Sequence, residues 1–488
     1  EVITTTGENF VTGGWPNLDN ATIINSSNSE SNQRIVGFYG NLNIGWKDKV
    51  FLNATGRNDY VSNMPAENRS FFYPSLGLSV VLTEAVPSLQ TFMSFAKLRA
   101  TVAEVGQAGP LYVNNTGFRA SNPGGFVFPY NGLAAFTQFP TRIDPDLEPE
   151  NTQSYEFGFD IRFFDDRVGL DYTYYNSTSQ GQIFNVPLPL STGAASEIRN
   201  AGEMSSKGHE IILNLNPVRS ANFNWGFITN FNSYENKVVE LAEGINRIDI
   251  NSGIIVAERG YDYPSILGQA YFKDPQTGKV VVQSNSSASG YGMPIINPEF
   301  GIIGSAIPDF EMNFINNFTY KDLSLSFQID WRSGGQMFSQ SYTETRWRGS
   351  NGVTRDREEE VILDAMKGNI EQGELQVDGE NDIPIKKDFA YYTAIGRWSP
   401  TEQSLQDASF VRFRELSFTY RLPNQLLNNI FVKEASVYFT GRNLFIITDS
   451  FTDPEVNHSD NRSSNTAGLE WSQIPQTKSY GLGVRVKF

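Results

Sequence analysis

The chain contains no cysteine and only two histidines, His209 and His458, among its 488 residues. Disulfides, thiolate metal sites and cysteine nucleophiles are therefore excluded, and a histidine-rich metal site cannot form. No segment approaches the roughly 20 consecutive apolar residues that a membrane-spanning helix needs. Basic residues are outnumbered, 38 against 54 acidic ones, and the net charge of −16 disfavours nucleic acid, whose phosphates select basic surfaces.

Aromatic residues and glycine are abundant instead, with 36 Phe, 21 Tyr, 7 Trp and 42 Gly. A soluble β-protein of this size would build its core mainly from Val, Ile and Leu, whereas a transmembrane β-barrel places aromatic girdles at both lipid interfaces. The mean hydropathy of −0.35 agrees with a barrel, because only alternate residues of a barrel strand face lipid and the loops are polar.

Apolar and polar residues alternate along most of the segments that can be interpreted. In 323–332, Leu, Phe, Ile and Trp occupy the odd positions, while Ser, Gln, Asp and Arg occupy the even ones. The end of the chain alternates in the same way from Tyr480 to Phe488. A period of two predicts β-strands. Their length, about 10 to 16 residues, suits a tilted membrane crossing better than a globular sheet.

Thirteen strands are predicted on this basis. They span 34–46, 48–61, 70–83, 95–106, 151–164, 167–180, 203–216, 221–236, 309–320, 322–335, 408–421, 433–448 and 476–488. Tight turns at Lys47, Asp165-Asp166 and Lys321 alternate with long connections at 107–150, 237–308, 336–407 and 449–475. Short turns on one side and long loops on the other are typical of outer-membrane barrels, whose short turns are periplasmic.

The predicted fold class is therefore all-β, a transmembrane antiparallel β-barrel. Residues 34–488 would form the C-terminal part of the barrel wall, and the Asn- and Ser-rich residues 1–33 would form an extracellular loop segment. An odd number of strands does not close a bacterial barrel, so we expect further strands upstream, together with a signal peptide. The segment 356–367 is predicted to form a short amphipathic helix within an outer loop.

Several short motifs are specific enough to compare with a known family. The most specific is Leu147-Glu-Pro-Glu-Asn-Thr-Gln-Ser-Tyr-Glu-Phe-Gly158. Two others precede it and three follow it: Tyr73-Pro-Ser-Leu-Gly-Leu-Ser79, Lys97-Leu-Arg-Ala-Thr-Val-Ala-Glu-Val-Gly106, Phe410-Val-Arg-Phe-Arg-Glu-Leu-Ser417, Thr440-Gly-Arg-Asn-Leu-Phe445 and Asp453-Pro-Glu455. In their sequence and order these motifs resemble those of SusC/RagA-type TonB-dependent transporters, and the resemblance extends over nearly the whole chain.

This resemblance implies a 22-stranded barrel closed by a plug, of which this chain would supply about thirteen strands. It also implies a plug, an N-terminal domain and a TonB box upstream, and energy passed from TonB-ExbB-ExbD. Family members import oligosaccharides or oligopeptides with a SusD-like surface lipoprotein as lid, often as a dimer of such pairs. Phe488, which ends an alternating strand, resembles the assembly signal of outer-membrane barrels.

Candidate binding residues lie on the strands and in the outer loops. Polar strand positions are expected to face the lumen, where they would contact the plug or line the path: Asp160, Arg162, Asp171, Asp330, Arg332, Arg442 and Arg485. Loop aromatics would either roof the cavity or, as we favour, contact the lid. They are Phe126, Phe128, Tyr130, Tyr261, Tyr263, Trp347, Tyr391, Tyr392 and Trp398.

Metal binding and catalysis have weak support in the sequence. The acidic residues Asp449, Asp453, Glu455 and Asp460 are candidate calcium ligands, but they lack EF-hand spacing, and a solvated loop is the favoured interpretation. No Gly-x-Ser-x-Gly motif accompanies the histidines, so no enzyme is predicted and no cofactor is expected. The alternative function is a structural or translocon-associated barrel that scaffolds other surface proteins, which would need neither plug nor TonB box.

Overall fold

A computed structural model describes residues 2–13, 17–30, 32–111, 118–120, 133–138, 140–394, 401–427, 431–456 and 467–488. Its dominant feature is one sheet of thirteen antiparallel strands, here called the wall, whose order in space is their order in sequence. The strands are β1 Ile35–Trp46, β2 Val50–Val61, β3 Ser70–Val81, β4 Met93–Gln107, β5 Glu150–Phe163, β6 Val168–Gln180, β7 Gly202–Arg219, β8 Phe223–Leu241, β9 Pro308–Tyr320, β10 Leu323–Gly334, β11 Phe410–Arg421, β12 Glu434–Ile447 and β13 Ser479–Lys487. The predicted all-β fold and all thirteen predicted strands are confirmed.

The short turns occur where the sequence tolerates a left-handed backbone. Lys47 and Asp48 have φ of 50° and 54°, and Asp165 and Asp166 have φ of 54° and 62°. Aspartate enters this region more readily than most residues, because its short side chain bonds to nearby backbone. Successive positive φ values match the right-handed twist of the flanking strands, so these residues favour tight hairpins.

The long connections all emerge at the opposite end of the wall and fold into small sheets of their own. We call their described parts, within 108–149, 181–201, 242–307, 335–409 and 448–478, the loop layer. Its strands are Phe118–Ala120, Phe136–Gln138, Thr141–Ile143, Ile183–Pro187, Ser196–Asn200, Arg247–Asn251, Ile255–Glu258, Ser265–Tyr271, Val281–Gln283, Ile296–Ser305, Gln336–Ser339, Glu360–Ile362, Met366–Glu371, Glu374–Glu380, Pro384–Lys386, Leu405–Asp407 and Leu469–Glu470.

Parallel pairings connect one long loop to another within this layer. Val281–Gln283 pairs with Met366–Glu371, and Gln336–Ser339 pairs with Leu469–Glu470. Thr141–Ile143 pairs with Ser196–Asn200 in the same way. Parallel pairing needs a long crossover between the partners, so segments far apart in sequence are held side by side.

Buried apolar residues are concentrated in the loop layer and at the adjoining ends of the wall strands. One cluster includes Val238, Leu241, Ile248 and Tyr263, and a second is built from residues that include Ile255 and Leu469. Large apolar side chains of the wall are exposed, with Leu482 at 79%. The exposed apolar surface of the wall would therefore be stabilised by apolar surroundings. Within the described residues, no helix is long and apolar enough to cross a bilayer.

Two local features differ from the sequence predictions. The helix predicted over 356–367 is wrong, because this segment contains a turn, the strand Glu360–Ile362 and the start of Met366–Glu371. Both strands pair with other loop segments, and this pairing overrides the local pattern. The α-helices among the described residues are Leu82–Ala85, Gln340–Trp347, Phe389–Ala394 and Asn424–Leu427. Residues 1–33, predicted only as a loop, contain a hairpin of Val2–Phe10 with Ala21–Ser29.

Candidate functional site

The register of the wall assigns its side chains to two faces. Paired residues of neighbouring antiparallel strands point to the same side, so a face can be followed from Asn43 and Asn53 on β1 and β2 across to Arg485 on β13. One side, the polar face, carries all ten arginines of the wall strands: Arg57, Arg99, Arg162, Arg219, Arg332, Arg412, Arg414, Arg421, Arg442 and Arg485. The other side, the apolar face, carries side chains such as Phe38, Leu42 and Leu482.

An ion-pair network joins the polar face to the last long loop. We call Asp330, Arg412, Arg414, Asp453 and Glu455 the arginine cluster. Arg412 binds Asp453, and these side chains are 3% and 7% exposed. Arg414 lies between Asp330 and Glu455, with 2.5 Å from its Nε to Asp330 Oδ2. A buried pair of this kind is costly to break, because the remaining charge has no water to solvate it.

A β-bulge follows the two arginines, which as residues i and i+2 of one strand already share a face. The register between β10 and β11 shifts between Gln328 and Ile329, so Arg414 is the extra residue between Phe413 and Glu415. The bulge brings Glu415 to the same face, where it pairs in register with Gln328. Arg412 Nε also lies 2.5 Å from Glu455 Oε2, but outside hydrogen-bonding geometry, so this contact is purely electrostatic.

A cavity of about 290 Å³ opens on the polar face beside this cluster. Four amide side chains line it, together with three carboxylates. They are Asn230, Asn232, Asn313, Gln328, Glu311, Asp330 and Glu455. Arg332 also lines it, donates to the Ala306 carbonyl at 3.0 Å and lies 3.8 Å from Glu311. Arg332 Nε and Asn232 Oδ1 are buried without a hydrogen-bond partner among the described residues. Such groups usually have partners, so a polar ligand or water would be stabilised here.

A second ion pair spans three strands of the polar face. Arg99 on β4 reaches over β5 to Asp171 on β6, with 3.0 Å from Nη1 to Oδ2, and also donates to Thr173 Oγ1 at 2.6 Å. It crosses at Gly158, where an added Cβ would lie 2.7 Å from Arg99 Nε and 2.6 Å from the Tyr172 carbonyl. Glycine is required there because no side chain fits beneath the guanidinium.

The predicted lumen positions occupy one face of the wall. Asp160, Asp171, Asp330, Arg332, Arg442 and Arg485 lie on the polar face, as do Arg162 and Gly158. Arg162 binds Asp160 at 3.0 Å, and the mostly exposed Arg442 lies 3.8 Å from Glu415. Whether any of them contacts a transported solute stays a prediction.

The predicted loop aromatics do not form one surface. Tyr263 is buried in the loop layer, and burial raises the pKa of its phenol to about 12, whereas Tyr261 is exposed. Trp347 packs edge-on against Phe389 at 6.1 Å. Phe126, Phe128, Tyr130 and Trp398 lie outside the described residues.

Tyr391 and Tyr392 pack against each other at 5.0 Å, and Tyr392 belongs to a buried polar contact. Its hydroxyl donates to Asp356 Oδ1 at 3.2 Å, and Asp356 also binds Lys387. Burial raises the pKa of Tyr392 to about 12, and the hydrogen bond to Asp356 adds to this. The hydrogen bond from Lys387 lowers the pKa of Asp356. Tyr392 therefore stabilises the loop layer internally.

The candidate calcium ligands that the structure describes are Asp449, Asp453 and Glu455. Asp453 and Glu455 face arginines in the arginine cluster, Asp449 is exposed, and Asp460 lies outside the described residues. In the described part of the chain, no group of three or more His, Asp or Glu residues is arranged to hold a metal ion. Calcium in the outer loops stays an untested prediction.

The sequence reasoning missed the ion pairs of the arginine cluster. Arg412 and Arg414 lay in a motif used only for the family resemblance, and Asp453 and Glu455, about 40 residues further on, were considered only as calcium ligands. The pattern Arg-x-Arg on one strand was a signal for a shared face. Phe488, predicted as an assembly signal, stacks on Phe431 at 6.1 Å, and this role remains a prediction.

Comparison with known proteins relates this geometry to one family. The family model described as TonB dependent receptor-like, beta-barrel matches residues 3–444. TonB-dependent receptor P3 of Formosa agariphila is 25% identical over 524 residues, covering 98% of this chain and 48% of that protein. TonB-dependent receptor SusC of Bacteroides thetaiotaomicron is 22% identical over 485 residues, covering 93% of this chain and 44% of that protein.

Among solved structures, the RagAB peptide transporter superposes with a TM-score of 0.72 at 19% identity. The match covers 96% of this chain and 49% of that chain, and at this identity it shows a shared fold. The chain spans about half the length of the curated relatives it matches. The resemblance to SusC/RagA transporters seen in the motifs is confirmed, and the chain belongs to the TonB-dependent receptor-like β-barrel family.

Proposed function

We propose that this chain is the C-terminal part of a SusC-like transporter that imports oligosaccharides or oligopeptides across the outer membrane. On this proposal the apolar face of the wall contacts lipid, and the polar face lines the path. The short turns and the end of β13 are periplasmic, and the loop layer faces the exterior. Transport requires recognition and release, not bond cleavage, so the proposed function is not enzymatic.

The observation that carries this proposal is the polar cavity beside the arginine cluster, which is lined by amides, carboxylates and arginines. Asn230, Asn232 and Asn313 offer both donors and acceptors, and Arg332 has a buried donor without a partner among the described residues. Sugar hydroxyls and peptide amides need this mixed set of partners. A wall that only enclosed a space would not need buried polar groups held ready for a ligand.

A SusD-like lipoprotein lid is the proposed partner on the loop side. The loop layer exposes large apolar side chains, among them Leu190, Val353 and Trp471. Large apolar side chains in contact with water are stabilised when a partner covers them, and this supports a lid contact. We further propose a plug and TonB box upstream, energy from TonB-ExbB-ExbD, and a dimer of such transporter–lid pairs.

Mild detergent extraction of the native complex, followed by mass spectrometry of all co-purifying chains, tests the assembly. We expect recovery of a plug-bearing segment together with a SusD-like lipoprotein. Recovery of other surface or secretion proteins, without either of these, would instead support a scaffold barrel.

Uptake by whole cells tests the transport step. The substitution Arg332→Ala in the full-length protein should lower uptake of a fluorescent oligosaccharide or oligopeptide at least several-fold, because it removes a charged hydrogen bond from the cavity. Arg442→Ala is the matched control, since Arg442 lies on the same face but is mostly exposed. Equal uptake by both variants and the parent protein would contradict a role for this cavity.

A further inference from the structure

Three arginines of the polar face have no carboxylate partner among the described residues. The other seven arginines of the wall each lie within 4 Å of a carboxylate. The exceptions are Arg219, Arg421 and Arg485, which lie at or near the short-turn ends of β7, β11 and β13. Along most of its height the polar face therefore neutralises its arginines. At the short-turn end it does so only for Arg162, which binds Asp160.

Two of these arginines flank a single serine. Ser436 on β12 is paired in register with Arg421 on one side and with Arg485 on the other. With strands about 4.8 Å apart, the two arginine backbones lie about 10 Å from each other on the same face. Both line a cavity of about 400 Å³, together with Ser436, Lys487 and two carboxylates, Asp322 and Glu434. Guanidinium groups at this spacing can bind carboxylates, with the serine hydroxyl as a further donor.

The partner implied by this arrangement is larger than a small solute. Arg219 lies four strands from Arg421, so the three arginines span about 29 Å along the sheet. One sugar or short peptide cannot contact all three at once. An acidic protein surface with carboxylates spread over the same distance can.

The charge of the chain makes such a contact selective. The net charge of −16 repels an acidic surface in general, whereas the short-turn end of the polar face offers it unpaired cations. Glu434 is a nearby carboxylate, but it faces Lys487, with 3.7 Å between Oε2 and Nζ. The attraction is therefore confined to one end of the wall and would set the orientation of a docked domain.

We propose that Arg219, Arg421 and Arg485 bind carboxylates on an acidic surface of the protein domain that occupies the inside of the wall. This inference rests on the proposed function, which supplies that domain as the plug. It adds the location and the sign of the contact: cations from the wall at the short-turn end, and Asp or Glu from the plug.

Zero-length carbodiimide coupling tests the contact in the full-length protein in its native membrane. Arg421→Lys and Arg485→Lys each place an amine where the guanidinium lay, and carbodiimide joins an amine only to a carboxylate in direct contact. We expect new cross-links, identified by mass spectrometry, to Asp or Glu residues of the plug. Arg99→Lys is the matched control, and its expected cross-link is to Asp171.

The inference would be overturned if the amines introduced at positions 421 and 485 coupled only to wall carboxylates, such as Asp322 or Glu434. It would also be overturned if neither amine coupled while the Arg99→Lys variant coupled normally. Lys487 and Glu434 provide an internal check on the reaction in every variant. Recovery of a plug without these cross-links would refute only this contact, whereas absence of a plug from the purified complex would refute the proposed function itself.

Discussion

The wall and the loop layer are stabilised in different ways. The wall repeats one local rule, antiparallel pairing of each strand with the next, and leaves its apolar side chains exposed on one face. The loop layer has irregular elements, parallel pairings between distant segments, and buried apolar clusters of its own. The wall therefore depends on its surroundings for apolar contacts, whereas the loop layer supplies them internally.

The arginine cluster is where the two regions meet. Arg412 and Arg414 belong to β11 in the wall, while Asp453 and Glu455 belong to the loop layer. The charges are buried, so the contact is specific and costly to lose. The comparison leads to four predictions. They concern, in this order, the end of the wall, the arginine cluster between the wall and the loop layer, one glycine within the wall, and the loop layer.

The largest effect is expected at the end of the wall. Phe488→Ser replaces an exposed aromatic residue on the apolar side and removes its stacking on Phe431. We expect several-fold less assembled barrel in outer membranes, because the final strand loses its terminal aromatic anchor. The measurement is the amount of heat-modifiable band on SDS gels. Phe431→Ser controls for loss of the stack alone, and an undiminished band in the Phe488 variant would argue against the assembly role.

The second-largest effect is expected at the arginine cluster, where the wall meets the loop layer. Arg412→Ala leaves the buried Asp453 without its cation, while Glu455 keeps Arg414, and we expect a cost of about 3–5 kcal/mol. We expect faster hydrogen exchange in residues 448–456, with β2 to β6 unchanged. Arg442→Ala removes an exposed pair and should cost less than about 1 kcal/mol. Similar exchange in the two variants would mean that the cluster does not hold the loop.

A smaller effect is expected from one methyl group in the wall. Gly158→Ala places a Cβ against the Arg99 guanidinium and the Tyr172 carbonyl, which should cost about 1–3 kcal/mol. Gly77→Ala is the matched control on the same face, because its nearest neighbour would be Thr101 Oγ1 at 3.6 Å. The temperature at which each barrel loses SDS resistance gives the comparison. Equal temperatures would show that Arg99 moves aside freely.

The smallest effect is expected from alkaline pH and is confined to the loop layer. Tyr263 and Tyr392 have pKa values raised to about 12 by burial, against 10 when unfolded. The unfolded loops therefore lose these protons first, so stability is intact below pH 10 and declines as the pH rises from 10 towards 12. Tyrosinate absorbance and hydrogen exchange of 255–271 and 389–392 should change together. Tyr261→Phe, at an exposed position, should leave the hydrogen-exchange curve unaltered.

Much of the wall was predictable from the sequence because its rules are local. Alternation along β10, the tight turn at Asp165-Asp166 and the order of the strands all depend on residues close in sequence. The helix predicted at 356–367 failed for the opposite reason, since that segment pairs with 374–386 rather than with itself. Amphipathic periodicity in a loop does not reveal such partners.

In the candidate site, too, some features follow from the local sequence and others do not. Alternation predicted that Arg332 and Asp330 share a face, and the structure places them on one face. It did not predict that Arg414 binds Asp330, because this contact depends on the register between β10 and β11, which a bulge shifts at that point. Nor did it pair Arg412 with Asp453, which lies 41 residues further along the chain. Long-range ion pairs depend on where a long loop contacts the wall, and alternation within one strand does not predict that position.

The sequence by itself determined an all-β chain of thirteen long strands, its short-turn and long-loop ends, and its relationship to SusC/RagA transporters. Pairing between neighbouring strands needs only alternating apolar residues and suitable turn residues, and both can be identified directly in the sequence. Only the tertiary structure decided how the long loops pair with one another, which carboxylates reach Arg412 and Arg414, and which arginines remain unpaired. Those outcomes depend on distances between segments far apart in sequence, and such distances exist only once the wall has formed.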